Sequence, residues 1–208
     1  MNKFLTIEFE TGSGAIEVAD RLSKALSIPC FCRDILKRVA EEHNLSREEL
    51  RDFIYSMTDG LLYPCYIIHQ VKNNASASLT KEGQIFLSGQ NAVRQFASQG
   101  SAIFVGNCAA EIVREYGNTK TAFITASGED KSKRLSERLD SSELDADSII
   151  RRLDGAKEQY YFCSTGKRWR DRENYDIVLN TSELGIESCV DALKKLYLQN
   201  EDYEEILA

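Results

Sequence analysis

The stretch that most constrains the fold runs from Phe4 to Leu26 and reads FLTIEFETGSGAIEVADRLSKAL. Its first residues are mainly apolar, aromatic or β-branched, which favours a strand buried in a sheet. A Gly12-Ser13-Gly14 turn follows, and apolar side chains then recur at helical spacing. A strand that passes through a glycine turn into a helix is typical of a βαβ unit, where ligands bind beyond the carboxyl ends of the strands.

The glycine turn could bind an anion. Glycines let backbone N–H groups point at a phosphate, and the dipole of the following helix assists. A working phosphate loop places Lys and then Ser or Thr after the last glycine, whereas this chain has Ala15 and Ile16. Taken alone, the turn favours a plain strand-to-helix connection. The phosphate-binding candidates are Gly12, Ser13, Gly14, Ala15, Ile16 and Glu17. For Glu17, stabilisation of the first helical turn is favoured over a water-mediated metal contact.

The rest of the chain alternates strand-like and helix-like segments. Strands are predicted over 4–9, 29–33, 101–106, 121–126 and 175–180, and a short helix over 109–116. Such alternation predicts an α/β fold with a parallel sheet. Residues 53–82 are less regular, and residues 140–170 are charged and rich in Tyr.

Composition excludes some classes of function. The chain has 208 residues and a net charge of −7, which argues against broad nucleic-acid binding but leaves room for a local basic pocket. No segment approaches the apolar length of a membrane span. The start, MNKFLTIEF, reads as a strand and not as a signal peptide. A cytoplasmic protein with no membrane partner is therefore expected.

The cysteines do not predict a metal site. The chain has six Cys and two His, and no second close pair accompanies Cys30 and Cys32, so zinc spacing is absent. Without a secretion signal, all six thiols are expected to be reduced.

Several longer segments resemble one family. TAFITASGEDKSKRLSERL and NYDIVLNTSELGIESCVDAL resemble the later strands and helices of cytidylate kinases. FLSGQNAVRQFASQGSAIFVGNCAAEIV and YYFCSTGKRWRDRENYD resemble a bacterial branch, the cytidylate kinase-like family of P-loop proteins. The resemblance implies a three-layer α/β P-loop NTPase fold with a five-stranded parallel sheet. It implies one kinase-like domain over residues 1–208, with a helical lid at about 140–170 and an irregular insert at about 53–82.

The resemblance also implies ATP with Mg²⁺ and a nucleoside monophosphate, such as cytidylate, or another small phosphate-bearing acceptor. Several cations of the family pattern are missing. Ala15 stands for the usual P-loop Lys, which the cytidylate kinase-like branch already lacks, and Phe9 and Ile16 stand for two arginines of that branch's loop. Asn107 stands for the Arg that faces the acceptor phosphate in cytidylate kinases, and Lys157 for the Arg of an Asp-x-x-Arg turn in the lid. Lys cannot clamp a phosphate through two parallel hydrogen bonds as Arg does.

Other candidate residues follow from the resemblance. The lid cations Lys157, Arg151 and Arg152 would act in catalysis. Arg134 and Arg138 would border the nucleotide base, and Arg38 and Asn107 would bind the acceptor. The alternative for each cation is a solvated helix face paired with carboxylates. Tyr160, Tyr161 and Trp169 could stack on a base or pack the lid onto the core.

Three function classes stay open. The first is a weak phosphotransferase, which the resemblance favours. The second is a non-catalytic protein that binds a nucleotide or another anion, which the missing cations favour. The third is an interaction protein that kept the fold and lost the site. The sequence does not specify an oligomeric state.

Overall fold

The computed structural model describes residues 2–56, 68–69, 79–140 and 142–199. Its sheet has five parallel strands in the order β2-β3-β1-β4-β5. The strands are β1 (Asn2–Phe9), β2 (Cys30–Phe31), β3 (Ala102–Val105), β4 (Gly117–Thr125) and β5 (Ile177–Asn180). The predicted five-stranded parallel α/β sheet is therefore confirmed. Most of the predicted insert at 53–82 lies outside the described residues.

One or more helices connect each strand to the next. In chain order they are α1 (Ala15–Leu26), α2 (Arg33–His43), α3 (Arg47–Ser56), α4 (Lys81–Ala97), α5 (Ala110–Val113), α6 (Gly128–Leu139), α7 (Glu143–Thr165) and α8 (Thr181–Leu198). The predicted helix over 109–116 is too long, because the structure has a helix only over Ala110–Val113. Strand β4 begins at Gly117, four residues earlier than predicted. Strand β4 starts early since it pairs with β1 along the whole of β1.

Helices cover both faces of the sheet, as the period-two alternation of strand side chains requires. On one face, Leu5 and Ile7 of β1 pack with residues of α1 and α8. On the other face, Phe4 and Phe104 pack with residues of α2, α4 and α5. The architecture is therefore three-layered, with the carboxyl ends of β1, β3 and β4 at one shared edge.

The segment proposed as a lid is helical but well packed. Helix α7 buries Ala146 and Ile150 against Leu135 of α6. Trp169, which follows the helix, is fully buried and meets the ring of Phe123 edge-on, with 5.2 Å between ring centroids. The expectation of few core contacts at 140–170 is therefore wrong, because the aromatic residues at the end of this segment complete one face of β4.

Two sequence expectations concern thiols and membranes. Four cysteines are free thiols: Cys30, Cys32, Cys108 and Cys189. Cys163 is disulfide-bonded, so the prediction that all six cysteines are reduced is wrong. Within the described ranges, no helix combines the length and apolarity that a bilayer crossing requires.

Candidate functional site

The glycine turn lies at the carboxyl end of β1 and leads directly into α1, as predicted. Gly12 and Gly14 have φ angles of 82° and 80°, a left-handed conformation that only glycine adopts without strain. A Cβ atom on Gly12 would lie 2.5 Å from the carbonyl oxygen of Lys131. The turn is therefore packed tightly against α6, and we call residues Glu10–Gly14 the loop.

The shape of the loop is fixed by side chains from two distant helices. The Thr181 hydroxyl, at the start of α8, donates to the carbonyl of Ser13 at 2.7 Å. Arg134 of α6 donates to the carbonyl of Gly12 at 3.3 Å and to the Thr181 hydroxyl at 3.1 Å. Arg134 thus lies at the loop and binds one loop carbonyl, whereas the resemblance implied a position beside a nucleotide base.

The positions that normally hold Lys and Ser or Thr are apolar. Ala15 is 1% exposed and belongs to the core, and Ile16 is half-buried. Gly14 precedes α1, and among the described residues no side chain caps this helix. The backbone N–H groups of its first turn thus stay available to an anion.

Lys157 of α7 reaches the loop from outside. Its Nζ donates to the Phe9 carbonyl at 3.0 Å and to the Thr11 hydroxyl at 2.9 Å, and it lies 4.0 Å from the centroid of the Phe9 ring. Burial lowers the pKa of Lys157, and the carboxylate of Asp154 opposes that shift. A cation is therefore present at the loop, although it comes from α7 and not from position 15.

Asp154 brings a negative charge to the same place. Its Oδ1 accepts the backbone N–H of Thr11 at 2.8 Å and lies 3.3 Å from Lys157 Nζ. The residue is 3% exposed. The backbone N–H of Thr11 is therefore already hydrogen-bonded to a carboxylate and does not face a phosphate. Asp154 and Lys157 lie one turn apart inside the continuous helix α7, so the turn expected at 154–157 is wrong.

Glu10 organises a second group of charges at the loop. Its carboxylate accepts from Lys131 Nζ at 2.7 Å, from Arg170 Nε at 2.7 Å and from the Thr125 hydroxyl at 2.6 Å. Burial opposes its ionisation, but these three donors outweigh burial and lower the pKa of Glu10 to about 2. Arg170 also pairs with Glu158 at 2.9 Å.

A cavity of about 280 Å³ opens beside the loop. Most of its wall is apolar and comes from α2, α3 and α4, including Ile35, Leu36, Val39, Phe53, Ile85 and Phe86. The polar side of the wall is formed by Glu8, Asn107, Lys157 and Tyr160. Lys157 touches both the loop and the cavity, so it marks the point where the two meet.

Glu8 is held in place by two donors. One carboxylate oxygen accepts the backbone N–H of Cys108 at 3.1 Å, and the other accepts Nε1 of Trp169 at 3.1 Å. Burial raises the pKa of Glu8, although both donors and the charge of Lys157 oppose the shift. The carboxylate is therefore oriented at the cavity wall, where its basicity exceeds that of an ordinary Glu.

Several predicted residues lie away from this site or have other contacts. Arg38, Arg138, Arg151 and Arg152 are exposed on their helices. Glu17 is exposed in the first turn of α1 and forms an ion pair with Arg21. Asn107 does line the cavity, and its side-chain amide donates to the carbonyl of Val105 at 3.4 Å.

Sequence reasoning missed the acidic half of the site: Glu8, Glu10 and Asp154. It also missed Lys131, Arg170 and Thr181. Glu10 carried a usable signal, since it directly precedes the glycine turn at the end of β1. Lys131 and Arg134 were also readable as an i, i+3 pair on the helix already singled out. Asp154 gave no local signal of its contact with Thr11.

Metal binding by side chains alone finds no support within the described ranges, where no group of three or more His, Cys, Asp or Glu residues could hold an ion. Ile16 offers no oxygen to Mg²⁺. Any Mg²⁺ would therefore be carried mainly by the phosphates of a nucleotide and by water.

Comparison with solved structures supports the fold. A crystal structure of an uncharacterized protein from Eubacterium ventriosum is 22% identical, with a TM-score of 0.70, and the match covers 95% of this chain and 99% of that one. The protein TT1252 from Thermus thermophilus is 17% identical, with a TM-score of 0.56 and coverage of 96% and 99%. Shikimate kinase from Bacteroides thetaiotaomicron is 14% identical, with a TM-score of 0.54 and coverage of 94% and 98%. No curated protein matches the chain at a significant level.

These neighbours include P-loop kinases, and their five-stranded parallel sheets with flanking helices match the architecture described above. At such identities they establish the fold alone. The sequence profile of the cytidylate kinase-like family matches residues 4–183, which is most of the chain. The protein therefore belongs to the cytidylate kinase-like family.

Proposed function

We propose that the protein is a slow ATP-dependent phosphotransferase whose small acceptor binds in the cavity beside the loop. The observation that carries the proposal is the position of Lys157, which lines the cavity and donates to the Thr11 hydroxyl of the loop and to the Phe9 carbonyl just before it. Phosphoryl transfer depends mainly on positioning and on neutralising charge between donor and acceptor. A cation at the junction of the two compartments is suited to that task.

The residues at the loop partly fit a nucleotide. First-turn N–H groups of α1 would face its phosphates, while Arg134 and Lys157 would supply positive charge. ATP with Mg²⁺ would supply the transferable phosphoryl group. The chain itself would orient that group, exclude water with α7 and place the acceptor next to it.

Three features favour slow turnover. Ala15 removes one charge-assisted contact, worth about 1.5–3 kcal/mol, and Ile16 removes a ligand of Mg²⁺. Asp154 already occupies the N–H of Thr11. These same features favour a second candidate, a non-catalytic protein that binds a nucleotide or another anion.

A lid at 140–170 stays part of the proposal, and its opening would have to break the contacts of Lys157 with the loop.

We expect millimolar ATP affinity in the wild-type protein and slow or undetectable transfer to CMP. The double variant Ala15→Lys, Ile16→Ser returns the missing cation and hydroxyl, so ATP should bind about ten- to a hundredfold more tightly. Calorimetry with ATP and Mg²⁺ measures this. Ala25→Lys, which adds a cation at an exposed position of α1, is the control and should leave the affinity unchanged. Micromolar binding by the wild type would contradict the proposed weakness, and no gain in the double variant would show that residues 12–16 do not bind phosphate.

Asp154→Asn should also raise ATP affinity about tenfold, or about 1.4 kcal/mol. The variant removes a negative charge that lies 2.8 Å from the loop nitrogen of Thr11, and Asn can still accept that N–H. Asp191→Asn, on the exposed face of α8, is the matched control in the same titration. Weaker binding by Asp154→Asn would instead mean that Asp154 serves the nucleotide by positioning Lys157.

A further inference from the structure

The cavity wall is unsuited to a phosphate-bearing acceptor. Its surface is mostly apolar, and a phosphate would have to give up its hydration there without enough compensating donors. Among the described lining residues, Lys157 alone carries a full positive charge, and it is already bound to Phe9, Thr11 and Asp154. Arg38, the expected acceptor-binding cation, is exposed on α2 and does not line the cavity.

Glu8 adds a second argument against an anion. Its carboxylate is part of the same wall, where it would repel a phosphate dianion. Glu8 and Lys157 bring opposite charges to the polar side of the cavity and offset each other. A ligand that matches this wall is neutral overall, apolar over most of its surface and polar at one end.

Glu8 is positioned to accept a hydrogen bond from the polar end of such a ligand. Each of its oxygens accepts one N–H donor and keeps further lone pairs. The two donors come from Cys108 and Trp169, on different segments of the chain, so the carboxylate cannot rotate freely. A hydroxyl group at this wall can donate its hydrogen to Glu8 while its oxygen lies on the side of Lys157 and the loop.

We propose that the cavity binds a small, mainly apolar alcohol, and that Glu8 takes the proton of its hydroxyl group during phosphate transfer. The proposal rests on the phosphotransferase function proposed above and names its acceptor class. In the step, the O–H proton passes to the Glu8 carboxylate and the alcohol oxygen bonds to the γ-phosphorus of a nucleoside triphosphate. The bond from that phosphorus to the β,γ-bridging oxygen breaks, and the electron pair stays on the departing nucleoside diphosphate.

Binding is tested with benzyl alcohol and CMP as probes by saturation-transfer NMR. Gly89 of α4 lines the cavity, and a Cβ atom there meets only the Val39 side chain, at 3.9 Å. Gly89→Phe should fill the cavity and weaken benzyl alcohol binding at least tenfold, whereas Gly89→Ala should bind like wild type. CMP should not displace the alcohol. Displacement by CMP, or equal alcohol binding by Gly89→Phe, would overturn the assigned ligand class.

Catalysis is tested on the folded wild type and Glu8→Gln, with ATP, Mg²⁺ and saturating benzyl alcohol followed by ³¹P NMR. We expect benzyl phosphate, with kcat at least 100-fold lower in Glu8→Gln and the KM for the alcohol within threefold. A KM change without a kcat change would reduce Glu8 to a binding residue and overturn its role as proton acceptor.

Different results would contradict the phosphotransferase function and the alcohol as its acceptor. Formation of CDP from CMP but no benzyl phosphate would keep the phosphotransferase and overturn the alcohol. Consumption of no ATP under any condition would overturn the phosphotransferase, and the NMR binding result would then decide by itself whether the cavity takes an apolar alcohol.

Discussion

Lys157→Met lowers the rate of ATP consumption, measured with saturating acceptor, about 100-fold. The variant keeps the length and apolar contacts of the side chain but removes the positive charge that lies between the loop and the cavity. One such electrostatic contact to a transferring group typically contributes a factor of about 10²–10³. The variant also leaves the buried Asp154 carboxylate without its ion-pair partner at 3.3 Å, so we expect a lower melting temperature, and both rates are measured well below the melting temperature of the variant.

The matched control is Lys195→Met, on the exposed side of α8, which should keep the wild-type rate. Lys157→Arg keeps the charge but not the compact ammonium geometry, and it should recover part of the activity. If Lys157→Met keeps an activity within threefold of wild type, Lys157 has no role in phosphate transfer.

Glu10→Gln lowers the free energy of unfolding at pH 7 by about 2 kcal/mol. The variant leaves Lys131 and Arg170 without the carboxylate that pairs them, and breaking a buried ion pair by changing one partner is strongly destabilising. Arg170 is 43% exposed, so solvent screens its share and the expected loss lies below the range for fully buried pairs. Urea denaturation at several pH values measures the effect.

The pH dependence gives this result a specific sign. The folded pKa of Glu10 is about 2, below its ordinary value of 4.5, so its contribution is complete above pH 4.5 and is lost as the pH falls toward 2. The difference between wild type and Glu10→Gln should therefore shrink steadily below pH 4.5. Glu137→Gln, exposed on α6, should match wild type throughout. A difference that stays constant down to pH 3 would show that the ion pairs do not cause the loss.

The layered fold was predictable because its determinants are local. Strand β1, the glycine turn and α1 are adjacent in sequence, and each has its own periodicity. Parallel strands joined by helices then leave few topologies. The early start of β4 was not predictable, because residues 117–120 are polar and become strand only through pairing with residues 2–5 of β1.

The glycine turn was predictable from its own sequence, whereas Arg134, Lys157 and Asn107 were reached through the family resemblance. Arg134 and Arg138 have the same local pattern, yet only Arg134 reaches the loop, since Arg138 lies one helical turn beyond it. The sequence pointed to Asp154 only as the first residue of the Asp-x-x-Lys stretch that ends at Lys157. Its bond to Thr11 joins residues 143 positions apart, and no local pattern reports a contact of that range.

The shape of the loop is held by contacts with Thr181 and Arg134 and by the close packing of Gly12 against Lys131. Neither Ala15 nor Ile16 takes part in these contacts. The loop is therefore preorganised before any ligand arrives, and little binding energy is consumed in ordering it. Exchanges at positions 15 and 16 can then retune the ligand preference of the loop while the scaffold around it keeps the same architecture.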